Sequence, residues 1–140
     1  MVMTRREFIA VGATTLTVAG AAGTVFGGMF STPEQKLALP FKVIFDERFA
    51  ESRLFAQQAT RAGVTTAGIS GDVSTLWYTE LRPRLEQGTA AIAGMTTVSS
   101  LFCLEQLAHN YWMTVQTRTE HPQGLVSWVI APNNQNRNAV

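Results

Sequence analysis

Residues 41–70 read FKVIFDERFAESRLFAQQATRAGVTTAGIS, and this stretch decides the fold. Phe41 to Phe45 is a short apolar, β-branched and aromatic run that stops at Asp46, as a buried strand does. The period then changes to 3.6. Over Arg48 to Ala62, Phe49, Leu54, Phe55 and Ala59 share one helical face, while Glu51, Arg53, Gln57, Gln58 and Arg61 fill much of the remainder. Gly63 ends that helix where a left-handed cap is easiest, and Val64 to Ile69 begins a second strand. Strand, helix and strand in this order form a βαβ unit, which implies parallel pairing.

Downstream the unit repeats. Ser70-Gly71-Asp72 reads as a turn and Val73 to Gln87 as a helix with Leu76, Trp77, Leu81 and Leu85 on its apolar side. Pro83 removes a backbone donor inside that helix, so a kink or break is expected near Leu81. Thr89 to Ala93 is the third strand, Gly94-Met95-Thr96-Thr97 a turn, and Val98 to Tyr111 a strongly apolar helix. Met113 to Arg118 and Leu125 to Ile130 are strands too close for a crossover helix, so they should pair as an antiparallel hairpin on one edge. The expected fold class is α/β: a small three-layer domain over 41–131, with a mixed sheet of about five strands built from three βα units and a C-terminal hairpin. Residues 31–40, with two prolines, read as a linker, and 132–140, with four asparagines, as a disordered tail.

The chain of 140 residues has room for one ordinary domain. Eleven Lys+Arg against ten Asp+Glu provide no basic stripe for nucleic acid. One cysteine excludes a disulfide framework and any site needing several thiolates. The charges are unevenly spread, because residues 8–33 contain no Asp, Glu, Lys or Arg. Before that gap stands Thr4-Arg5-Arg6-Glu7-Phe8-Ile9, and within it Val11 to Phe30 carries five glycines and four threonines, an apolar but weakly hydrophobic run.

This arrangement resembles the twin-arginine export signal, with Arg5, Arg6 and Phe8 at the motif positions. The resemblance implies that residues 1–30 are an address read by the twin-arginine translocase, and that the folded chain is delivered to the periplasm or another extracytoplasmic space. Ala19-Gly20-Ala21 fits the A-x-A form of a peptidase site; Ala22, Gly23 and Gly27-Gly28 are also small, and a cut anywhere before Ser31 would leave the same 41–131 domain. Without cleavage, Val11 to Phe30 has the ~20 residues of a membrane anchor, though its glycines and threonines lower helix propensity and transfer energy, and as a first helix of the globular fold it would lack a polar face. From Ser31 onward nine basic residues balance nine acidic ones.

In an open parallel sheet, ligands bind outside the carboxyl ends of the strands. That rule gathers a candidate ligand cleft: Asp46 and Arg48 after the first strand, Ser70 and Asp72 after the second, Thr96 and Thr97 after the third, and His121 after the fourth. Each has a plainer reading. Asp72 and Thr96 or Thr97 are natural helix caps, and the charge at Asp46 and Glu47 suits a helix N-terminus. FDERFAES after the first strand has no glycine, so a dinucleotide loop is excluded there. His109 and His121 lack partners at metal-ligand spacing, Cys103 reads as a packed thiol, and Ser99 and Ser100 have no Gly-x-Ser-x-Gly elbow. No catalytic, cofactor-binding or metal-binding residue is therefore assigned. Trp77, Tyr78, Arg82 and Arg84 form a candidate partner surface, since aromatic residues and arginine concentrate at interface hot spots.

Address and missing cofactor motif together point to an exported, non-catalytic accessory or small subunit that binds a larger periplasmic protein, with a redox enzyme as the expected class. In signal and size alone the chain is similar to the small signal-bearing subunits of flavin-dependent sugar and gluconate dehydrogenases, whose mainly helical form differs from this αβ pattern. The alternatives are a small-ligand-binding domain using the strand-end cleft, and a small hydrolase or isomerase using Asp46, Asp72 and His121 as acid and base.

Overall fold

The computed structural model describes residues 25–29, 39–88 and 90–133. Arg5, Arg6, Phe8, residues 31–38 of the linker and residues 134–140 of the tail lie outside the described residues. The elements are β1 (Lys42–Asp46), α1 (Ala50–Arg61), β2 (Thr66–Ile69), α2 (Ser74–Leu76), a π-helical stretch (Trp77–Leu81), α3 (Arg82–Leu85), β3 (Ile92–Thr97), α4 (Val98–His109), β4 (Met113–Glu120), a short 3-10 turn (Pro122–Gly124) and β5 (Leu125–Pro132). They form one five-stranded mixed sheet in the order β2-β1-β3-β5-β4. β1 is parallel to β2 and β3, and the hairpin closes the other side through antiparallel β3–β5 and β5–β4 pairs. The α/β architecture of three βα units followed by a hairpin is the one read from the sequence.

Alternation along the strands divides the core in two. Val43, Ala93, Met95, Leu125, Val129 and Ala131 are on the α1 side of the sheet, in one cluster with Phe55 and Ala59; Ile44, Ile92, Val126, Trp128 and Ile130 are on the side of α2, α3 and α4. The α4 residues Leu101, Leu104 and Ala108 are inward at helical spacing, which turns Cys103 outward. Cys103, read as packed, is thus exposed: apolar neighbours in sequence do not share its direction.

Two other expectations change. The kink before Pro83 takes the form of the π-helical stretch, where the Arg82 N–H donates to the Trp77 carbonyl five residues back. Pro83 has no N–H to offer, and the ladder gains a residue just ahead of it. Gly94-Met95-Thr96-Thr97 is not a turn but the last four of the six residues of β3. Gly94 serves close packing there. A Cβ at this position would run into the Ile44 carbonyl oxygen and lie 2.7 Å from the Trp128 ring, so the missing side chain lets β1 and Trp128 close on β3.

Among the described residues no helix is long and apolar enough to cross a membrane.

Candidate functional site

The strand order reverses around β1: the chain goes outward to β2 and returns across it to β3. The loops beyond β1, β2 and β3 therefore meet at one edge of the sheet. They touch directly. The Arg48 guanidinium lies against Gly71, 3.1 Å from where a Cβ on that residue would sit, and the Ser100 hydroxyl at the start of α4 donates to the Gly71 carbonyl at 2.7 Å. Gly71 has φ +106°, a conformation that side chains disfavour, so its position suits both the turn and the contact.

At the centre of this edge is Asp46, whose carboxylate is fully buried. Arg48 holds it with two side-chain bonds, Nε to Oδ1 at 2.9 Å and Nη2 to Oδ2 at 2.7 Å, and the Arg48 backbone N–H adds a third to Oδ1 at 3.0 Å. The guanidinium bonds are the main reason the carboxyl is held below its ordinary value of 3.8, against the opposing effect of burial. Behind Asp46, the Ser52 hydroxyl accepts from the Asp46 N–H at 2.7 Å and donates to the Met95 carbonyl, tying α1 to β1 and β3. Thr96 is equally buried and accepts from the Trp128 indole N–H at 3.1 Å. Thr97 caps α4: its hydroxyl accepts from the Ser100 N–H. Asp72 accepts from the Ser74 N–H at 2.9 Å, which holds its carboxyl below the ordinary range.

Most of the cleft candidates are thus already engaged within the fold, Asp46 with Arg48 and the others with neighbouring residues. Ser70 and Asp72 are different, because they line an open groove of about 550 Å³ along the free edge of β2. Thr66, Gly68, Thr75 and Thr79 share its walls with Glu47 and Glu80. Glu80 is paired with Lys42 at 2.8 Å. Asp46, Arg48, Thr96 and Thr97 do not line this groove.

His121 belongs elsewhere. Its Nε2 is 2.8 Å from the Ser127 hydroxyl near the turn of the β4–β5 hairpin, and partial burial lowers its pKa against the opposing effect of the Glu51 carboxylate. The separation is that of a nucleophile and its base, yet Ser127 is only 1% exposed, so the pair braces the hairpin from within. Ser52 and Ser127 escaped sequence reading because a lone serine has no periodic signature; only the register places them on buried positions.

The aromatic candidates also separate. Trp77 is 2% exposed and packs edge-on against Tyr111, centroids 5.8 Å apart, so it belongs to the core and not to a partner surface. Tyr78, Arg82 and Arg84 remain outside. Arg82 pairs with Glu86 at 3.0 Å and covers the Tyr78 ring, while Arg84 covers Phe41. Glu86 also accepts from the Tyr111 hydroxyl, which brings the surface to Trp112. Trp112 is 71% exposed and has φ +59°, beside a hollow of about 300 Å³ lined by Leu85, Glu86 and Tyr111. Its backbone is fixed on both sides, by its N–H to His109 and by the Asn133 N–H to its carbonyl. From the sequence, Trp112 counts with Trp77 and Trp128 as more tryptophan than the core requires, but the surface is placed on Trp77, Tyr78, Arg82 and Arg84; a tryptophan where a helix end usually places glycine is the signal that could have located it.

Among the described residues no cluster of three metal-ligating side chains occurs. No family model, curated protein or solved structure matches the chain.

Proposed function

We propose that this chain is an exported accessory or small subunit without catalysis of its own, which binds a larger periplasmic protein through the surface around Trp112. The single observation behind this reading is Trp112 itself. A large aromatic side chain, 71% exposed, is held largely in solvent by a backbone conformation that costs a non-glycine residue about 1–2 kcal/mol. Strain at an exposed tryptophan is retained when the exposed ring has a use, and Trp, Tyr and Arg are the residues that anchor interfaces. Tyr78, Arg82 and Tyr111 border the same face. The twin-arginine motif supports delivery of the folded chain to the periplasm, and a cofactor-bearing redox enzyme is the partner class to test first.

The test is isolation of the exported, tagged chain beside its Trp112→Gly variant. A stoichiometric complex that the variant loses while keeping its circular dichroism supports the proposal; a monomeric exported chain, or a complex indifferent to Trp112, overturns it.

A second reading, a small-ligand-binding domain, draws support from the groove at Ser70 and Asp72. Its acidic rim suits a small cation-bearing molecule. Asp72→Asn should weaken such binding at least tenfold, and unchanged affinity removes the site.

A further inference from the structure

Within the described residues from 39 onward, one face of the sheet carries α1 alone. α1 lies over β1, β3 and β2, and a helix is about 10 Å wide where five strands at ~4.8 Å spacing span nearly twice that. Leu125, Val129 and Ala131 of β5 are on that same face, beyond the strands that α1 overlies, and yet are no more than 5% exposed. The described segment 25–29 contributes to their cover. It is helical, Phe26 is 3% exposed, and its ring meets Phe55 edge-on with centroids 5.4 Å apart. Phe26 shares a core cluster with Val43, Ala93, Met95, Leu125, Val129 and Ala131, and Val25 and Met29 pack beside it.

We infer that residues 25–29 belong to the folded domain as a strap across this face, and that the exported protein keeps them, so that processing stops before Val25. The inference deepens the export reading and rests on it for the processing boundary. It discriminates between the small-residue positions in the address: removal after Ala19-Gly20-Ala21 leaves Phe26 in place, whereas a cut at Gly27-Gly28 or just before Ser31 strips it from Phe55 and opens an apolar patch. The segment therefore has two chemistries in sequence. Before delivery it is the end of an apolar address, and afterwards it is part of the core.

Two measurements test this. The mass of the exported chain should place its first residue at or before Val25; a first residue beyond Val25 overturns the inference. In the purified full chain, Phe26→Ala should lower the melting temperature by about 10 °C or more, or prevent folding, while Phe26→Leu should stay within about 4 °C of the parent. An unshifted Phe26→Ala variant overturns the strap. A full chain retained in the cytoplasm would sink the export reading, but the melting comparison would still decide whether residues 25–29 are part of the fold.

Discussion

The Asp46 carboxylate and the Arg48 guanidinium form a two-point pair across two residues of chain, with the acid fully buried and the base half in solvent. One partner fixes the end of β1 and the other reaches the β2–α2 turn at Gly71. The pair is a joint between loops. Asp46→Asn keeps the shape and removes the charge, and an amide N–H then confronts a guanidinium N–H. The expected cost is about 1–2 kcal/mol, below the full value of a buried charged bond because water and salt screen the exposed side of Arg48. The pH dependence follows from the lowered carboxyl. The stabilisation is present above pH 3.8 and is lost as pH falls through the still lower folded value. Urea midpoints of parent and variant should differ at pH 7 and converge in strong acid; a difference unchanged by acid would show that the pair contributes nothing through its charge.

His121 gives the opposite end of the acid range. Burial lowers its folded pKa beneath 6.5, so the unfolded chain binds the proton more readily and stability declines as pH drops below that value. Replacing it by glutamine keeps a partner for Ser127 and removes the titration. Parent and His121→Gln should therefore run parallel above pH 7 and diverge between 6.5 and the depressed value, with the parent losing more. A parent whose melting temperature is flat from pH 7 to 5 would contradict the assignment.

Periodicity made the fold legible wherever side-chain direction repeats. The change from the Phe41–Phe45 run to the Phe49, Leu54, Phe55, Ala59 stripe specified β1 and α1, and the lack of room between Met113 and Leu125 specified a hairpin. It failed where one residue serves a contact and not a pattern. Gly94 has the composition of a turn, and only the approach of Trp128 explains it as a strand residue. At the site, Asp46, Arg48 and Asp72 were visible as strand-end charges, and their convergence follows from topology. How each is engaged was not visible: Asp46 is held by Arg48 with Ser52 behind it, whereas Asp72 turns to the Ser74 N–H and lines the groove. Trp77 and Tyr78 are neighbours in sequence with opposite directions, which no composition argument can separate.

Gly94→Ala tests the close approach. The added methyl must displace either the Ile44 carbonyl or the Trp128 ring, neither of which is the free end of a flexible side chain. A loss of about 2–3 kcal/mol is expected, in the range of overpacked cores. Trp128 is fully buried, so the near-ultraviolet circular dichroism should change with it. If the variant melts with the parent and keeps its aromatic signal, β3 and β1 are not packed as closely as described.

Trp112→Gly separates stability from use. Glycine adopts φ +59° without steric cost, whereas tryptophan there carries about 1–2 kcal/mol of backbone strain. Against this, glycine gives the unfolded chain more freedom to lose, worth about 0.5–1 kcal/mol, and little apolar burial is forfeited because the ring is 71% exposed. The balance favours the variant by about 0.5 kcal/mol, or roughly 2–4 °C in a domain of this size. A residue kept at the expense of stability should matter for something other than folding, so the same substitution should abolish the complex formed by the exported chain. A variant that is both less stable and still bound would reverse each half of the argument: the ring would then belong to the fold, and the interface would have to be sought on another face.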